Sequence, residues 1–156
     1  MEGLKFSAPV KNVDDPTVVR AVKLDAKATA TRAHPTDAGI DLVAIEDVSF
    51  EAGEVKMVPT GVAVEIPDGY VGFLLPRSSV AVKRRLMLIN SVGVIDAAYR
   101  GQVMAAFMNT GEPVSIKAGE RVAQLVIMKT LLANIEFVDK LDETERGAGG
   151  FGSSGV

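Results

Sequence analysis

Val62-Ala-Val-Glu-Ile-Pro-Asp-Gly-Tyr-Val-Gly-Phe-Leu-Leu75 is the stretch on which the fold class turns. Val62, Val64 and Ile66 alternate with Ala63 and Glu65, the period-two pattern of a strand with one face in a core. Asp68-Gly69 follows as a turn signal, and a second apolar run starts at Tyr70. Moving outward, residues 103–108, 114–117, 122–129 and 135–138 read as further strands. Glu51-Ala-Gly-Glu54, Asn109-Thr-Gly-Glu-Pro113 and Lys117-Ala-Gly-Glu120 supply turns around them. The chain becomes strand-like from Val18, where Val19, Ala21 and Lys23 alternate with Arg20, Val22 and Leu24. Many short strands at fairly even spacing argue for an all-β sandwich, jelly roll or barrel.

One segment breaks that pattern. Pro76-Arg-Ser-Ser-Val-Ala-Val-Lys-Arg-Arg85 has cap-type serines before a run free of Gly and Pro, and predicts a short helix starting near Ser78. Residues 1–17, with Pro9, Asn12, Asp14, Asp15 and Pro16, read as an irregular N-terminal arm. The β domain is expected over 18–138, and residues 139–156 as a C-terminal tail. That tail ends Arg146-Gly-Ala-Gly-Gly-Phe-Gly-Ser-Ser-Gly155, which cannot pack a core and is expected to be mobile when empty.

Composition narrows the chemistry. The 156 residues suffice for one domain with a real core, and 47% apolar with 24% charged is globular. No Cys and one His (His34) nearly exclude thiol catalysis and multi-His zinc sites, and leave no disulfide framework. A net charge of −3 gives no reason to expect a nucleic-acid polymer as partner. Neither a signal-peptide core nor a membrane-length apolar run is present, so a cytoplasmic protein without membrane contact is expected.

Several groups then stand out, each with a plain structural alternative. In Asn90-Ser-Val-Gly-Val-Ile-Asp-Ala-Ala-Tyr-Arg-Gly101 a carboxylate, Asp96, precedes an aromatic, Tyr99, in a Gly-bounded turn; it can set a base beside water and a ring beside a flat or sugar-like ligand. Arg77, Ser78 and Ser79 at a helix start could bind phosphate or form an ordinary cap. The glycines of the tail, with Arg146, Ser153 and Ser154, could cradle a second phosphate or simply be flexible, and Phe151 gains little there unless it lands on something such as a base. Asp41, in Ala38-Gly-Ile-Asp-Leu42, could hold a magnesium-bound water, orient a basic side chain, or be a strand-end carboxylate. Gln124 lies in the apolar run Val122-Ala-Gln-Leu-Val-Ile127 and needs partners for its amide. His34 reads as a loop residue, and Lys83-Arg84-Arg85 as a solvated helix end.

In order along the chain, five segments resemble the five motifs of the trimeric dUTP pyrophosphatase (dUTPase) family. They are Ala38-Gly-Ile-Asp-Leu-Val-Ala44, Pro76-Arg-Ser-Ser79, Gly93-Val-Ile-Asp-Ala-Ala-Tyr-Arg-Gly101, Gly119-Glu-Arg-Val-Ala-Gln124 and Arg146-Gly-Ala-Gly-Gly-Phe-Gly-Ser-Ser-Gly155. The resemblance implies a distorted jelly-roll or β-clip type barrel with one short helix, a homotrimer with three active sites built between subunits, and magnesium-assisted hydrolysis of dUTP to dUMP and pyrophosphate. By motif position, Asp96 looks like the activator of the attacking water and Tyr99 like the ring against deoxyribose. Asn90 and the main chain of Gly93, Val94 and Ile95 resemble the uracil-reading hairpin. Arg77, Ser78, Ser79 and Gln124 look like phosphate contacts, and Asp41 like the acid near the hydrated metal. Arg146, Phe151, Gly152, Ser153 and Ser154 look like the closing tail.

The chain departs from the family pattern at Ala97, Ala98, Ser79 and Arg85. The related dCTP deaminases share this fold, but typically carry a Glu where this chain has Ala106 and a Trp where it has Tyr99. The remaining alternative is a non-catalytic dUTP-binding trimer that regulates a protein partner.

Overall fold

A computed structural model describes residues 18–150. The expected N-terminal arm at 1–17 lies outside the described residues, as do Phe151, Gly152, Ser153 and Ser154 of the expected closing tail. In chain order the elements are β1 (Arg20–Lys23), β2 (Ala30–Thr31), β3 (Ile40–Val43), β4 (Val48–Phe50), β5 (Val55–Glu65), β6 (Tyr70–Pro76), α1 (Ser78–Arg84), β7 (Leu86–Leu88), β8 (Gly93–Ile95), β9 (Gln102–Asn109), β10 (Val114–Ile116) and β11 (Arg121–Lys129). They form a four-stranded sheet, β1-β5-β9-β7, a five-stranded sheet, β2-β3-β11-β6-β8, and a two-stranded ribbon, β10-β4. Every strand pairing is antiparallel. The fold is therefore largely β with one short helix, as a jelly-roll-like arrangement requires, but among the described residues the sheets do not close into a barrel.

The core lies between the sheets. Alternation places Val62, Val64 and Ile66 in it, with Leu42, Phe50, Leu74, Phe107, Ile116 and Leu125. Burying an aromatic side chain such as Phe107 stabilises the fold by about 2–3 kcal/mol. Asp68-Gly69 is a turn, as read, with Gly69 at φ +80° and Tyr70 N–H donating to the Pro67 carbonyl at 3.1 Å. It carries the chain from the four-stranded sheet to the five-stranded one.

β5 starts seven residues before the visible alternation because its middle is a bulge. Pro59 lacks an N–H and Gly61 has φ +67°, signals that argue against a central strand. Between Pro59 and Ala63 the register against β9 shifts, and side chains replace the missing ladder bonds: Thr60 Oγ1 donates to the Val103 carbonyl at 2.6 Å, and Gly61 N–H to Gln102 Oε1 at 2.7 Å. The bend lets one strand pair with β9 in its first half and with β1 in its second.

Residues 135–138 form no strand, contrary to expectation. Their apolar pattern is real, but a strand needs a sheet edge for its N–H and C=O groups, and among the described residues none pairs with them. Leu131, Leu132, Ile135, Leu141 and Phe137 are exposed, Phe137 to 96%. No helix among the described residues is long and apolar enough to cross a membrane.

Candidate active site

Three neighbouring strands build the site. Gln124 on β11 is registered against Asp41 on β3 to one side and against Leu75 on β6 to the other. Pro76 ends β6, the chain turns at Arg77 (φ −75°, ψ 143°), and α1 begins at Ser78. Asp41, Arg77, Ser78 and Gln124, more than eighty residues apart at the extremes, thus share one open cleft of about 310 Å³. Ala33, Asp37, Ala38 and Gly39 complete its lining.

The cleft is held by polar links. Asp41 is 7% exposed, and its Oδ1 lies 2.9 Å from Arg77 Nε while Oδ2 accepts from Arg121 at 3.0 Å. Asp41 therefore orients basic side chains, one of the roles its surroundings allowed. Gln124 Nε2 donates to the Pro76 carbonyl at 3.2 Å, and its amide oxygen lies against Gly39, where a Cβ would collide with it. The rim is the loop between β2 and β3. Arg32 Nε donates to the Asp37 carbonyl at 2.8 Å and His34 N–H to Asp37 Oδ2 at 2.9 Å. His34 is exposed, and its backbone rather than its ring takes part in these bonds.

The helix start differs from the sequence reading in one detail. Arg77, not a serine, is the N-cap, and it makes no side-chain cap bond. Ser78 and Ser79 sit inside the first turn, where backbone N–H groups have no intrahelical acceptor. Ser78 lines the cleft; Ser79 is exposed and does not. A larger cleft, about 570 Å³, lies at the other end of α1 among Lys83, Arg84, Arg85 and residues 110–114. Its chemistry is that of a helix end: Arg84 pairs with Glu120 at 2.6 Å and holds that carboxyl below its ordinary value of 4.5.

The segment around Asp96 lies elsewhere. β8 is the far edge strand of the five-stranded sheet, with Gly93, Val94 and Ile95 against Leu74, Phe73 and Gly72. Gly93 is needed there because a Cβ would meet Leu74. Asp96 follows, exposed, and its carbonyl accepts from Tyr99 N–H at 3.0 Å. Tyr99 is 43% exposed, and its hydroxyl donates to the Gln102 carbonyl at 2.9 Å. Asn90, also exposed, lies in a tight turn in which its carbonyl accepts from Val92 N–H at 2.6 Å and Ser91 has φ +60°. Three strand spacings of about 4.8 Å and four residues of about 3.3 Å along the sheet put Asp96 roughly 19 Å from Asp41. Arg146 is exposed, bonds to the Gly149 carbonyl at 2.9 Å and does not reach the cleft.

Sequence reasoning passed over Asp37 and Arg121. Arg121 stands inside a quoted motif, and one signal was available: the consecutive apolar pair Val122-Ala123 breaks strand alternation, as a bulge does. Among the described residues no group of three or more His, Cys, Asp or Glu side chains is arranged to hold a metal.

Comparison with known proteins meets this geometry. The dUTPase family profile matches residues 25–155. The deoxyuridine 5'-triphosphate nucleotidohydrolase of Cutibacterium acnes is 51% identical over 126 residues, 80% of this chain and 83% of that protein. The protein of the same name from Leifsonia xyli subsp. xyli is 44% identical over 136 residues, 86% of this chain and 90% of that one. Among solved structures, the Staphylococcus bacteriophage 80alpha dUTPase with dUPNHPP superimposes with a TM-score of 0.85 at 33% identity, covering 90% of this chain and all of that one.

Proposed function

The chain belongs to the dUTPase family, and from that premise we propose that it hydrolyses dUTP to dUMP and pyrophosphate by in-line attack of water on the innermost phosphorus. The observation that carries this reading is that Asp41, Arg77, Ser78 and Gln124, from three separate motifs, line one cleft with guanidinium, hydroxyl and amide donors. Phosphoanhydride hydrolysis asks for such fixed donors more than for covalent chemistry.

In the proposed reaction Asp96 accepts a proton from water as its oxygen bonds to the α-phosphorus. The bond from that phosphorus to the bridging oxygen breaks, and pyrophosphate leaves. As the water oxygen gives electron density to phosphorus its proton becomes more acidic, and a carboxylate beside it can take that proton. Tyr99 covers the deoxyribose, and Asn90 with the main chain at Gly93, Val94 and Ile95 reads the uracil edge. Arg77, Ser78 and Gln124 take the phosphates, with Ser79 beside them. Arg146, Phe151, Gly152, Ser153 and Ser154 close over the nucleotide and exclude bulk water.

The donor set does not form a divalent-cation cage of its own, since both Asp41 oxygens are already paired with guanidinium groups. It fits magnesium brought in with the substrate, which Asp41 would help to hold through a bound water. Bound in this way, magnesium would offset the charge of the phosphates during attack.

A site whose halves lie roughly 19 Å apart on one chain is completed by another copy, and we read the working form as a homotrimer. Two surfaces support this. Val55, Met57, Met87 and Ile89 are exposed on the outer face of the four-stranded sheet, where register groups them with Met104, Ala106 and Met108. Residues 131–141 expose a second apolar series.

The decisive assay is pyrophosphate release from dUTP, dCTP, dTTP and UTP with and without magnesium, on the wild type and Asp96→Asn. Only dUTP should be turned over efficiently. The substitution should lower kcat by at least about 100-fold while dUTP binding persists. Near-normal turnover by Asp96→Asn rejects the assigned base, and ammonia release from dCTP would return the chain to the deaminases.

A further inference from the structure

We propose that Arg121 is a positioning residue of the triphosphate cleft, acting through the buried carboxylate of Asp41 to hold Arg77 in its working orientation. The inference rests on the dUTPase reading and adds a residue to it. Arg121 does not line the cleft. Its guanidinium meets Asp41 Oδ2 at 3.0 Å, while Arg77 Nε meets Oδ1 at 2.9 Å. The Asp41 side chain is only 9% exposed, against 28% for Arg77 and 47% for Arg121. A carboxylate so buried needs a partner at each oxygen, and here each has one. The ion pair at Nε anchors the Arg77 guanidinium beside Asp41, and its terminal amino groups are the donors it can offer a ligand.

Charge points the same way. Asp37, Asp41 and Arg77 together carry one net negative charge, which repels a triphosphate; Arg121 at Asp41 and Arg32 at the rim offset it. Backbone geometry explains how Arg121 reaches that position. In a regular ladder Arg121 and Gln124, three residues apart, lie on opposite faces. Between Arg121 and Ala123, however, β11 spends two residues against one of β3. That bulge returns Arg121 to the face shared by Gln124 and its cross-strand partner Asp41.

The test compares two ligands on the full-length protein: the non-hydrolysable imido analogue of dUTP, and dUMP. Arg121→Gln should weaken the analogue about tenfold, the loss of one charge-assisted link. Affinity for dUMP should fall at most about twofold, as the proposal places the Arg77 guanidinium on the two phosphates that dUMP lacks. KM for dUTP should rise more than kcat falls, and Arg121→Lys should recover part of the loss. Equal weakening of both ligands, or no weakening of the analogue, overturns the proposal. If Arg121→Gln does not fold, Arg121→Lys is tested with and without Asp41→Asn. The lysine change should then matter only when Asp41 is present, and an undiminished effect in the Asp41→Asn background overturns it. The wild type separates the two readings: failure to bind the analogue or to hydrolyse dUTP removes the dUTPase assignment. A working wild type matched by Arg121→Gln removes only the role of Arg121.

Discussion

The ring of Tyr99 lies over Gly101, where a Cβ would collide with the phenol oxygen and the ring carbons, and the hydroxyl is tied to the Gln102 carbonyl. A single absent methyl group therefore sets where the ring can stand. Gly101→Ala should push the ring off its seat, leave the fold intact, and reduce the preference for dUTP over UTP in kcat/KM about tenfold, within the range that small steric changes in a pocket command. Unchanged discrimination would show that the ring is not the sugar filter. Tyr99 was legible in the sequence as a ring in a Gly-bounded turn, but its contact with Gly101 was not. Asp41 makes the same point. Its residue type allowed a metal-water, an orienting or a strand-end role, and only the two guanidinium groups at its oxygens show what it holds in this fold.

At the scale of elements, α1 ends on a residue that does not suit its conformation. Arg85 is the C-cap and has φ 54°, ψ 31°, the left-handed region that favours glycine. Its carbonyl accepts from both the N–H and the hydroxyl of Thr110, so the geometry is pinned by neighbours. Arg85→Gly should stabilise the protein by about 1 kcal/mol, read as a higher unfolding temperature, because relief of the Cβ clash outweighs the entropy glycine adds to the unfolded chain. A lower unfolding temperature would mean that the Arg85 side chain, packed against Gly111, matters more than its backbone. Regular elements were legible here: β6, β9, β10 and β11 lie close to where strand patterning put them, and α1 where the serines and the run free of Gly and Pro put it. The bulges in β5 and β11 were not, because an inserted residue reverses the alternation on which strand reading depends. β2, β3, β4, β7 and β8, two to four residues long, were not read; β10 is as short, but turn signals at 109–113 and 117–120 bracket it.

At the scale of the molecule, Asp96 lies far along the sheet from Asp41 and the Arg77 paired with it, and this has a direct consequence. Asp96→Asn and Arg77→Gln should each be nearly inactive alone. Mixed during refolding in equal amounts, they should recover about one quarter of wild-type activity, since random assembly joins the two intact halves at one interface in four. If both residues served a site within one chain, every site would carry one defect and the mixture would stay inactive. The sequence alone determined the class of fold, because alternation records which face of each strand leaves water. It also determined the chemical inventory: carboxylate, guanidinium, amide and hydroxyl, with no thiol and a single imidazole. Which of those groups meet was decided by tertiary structure alone. Strand register set Gln124 beside Asp41, a bulge turned Arg121 toward both, and sheet order sent Asp96 to the opposite edge. Contacts between residues eighty positions apart depend on register, and register follows from how all the strands pack together, which no local stretch of sequence encodes.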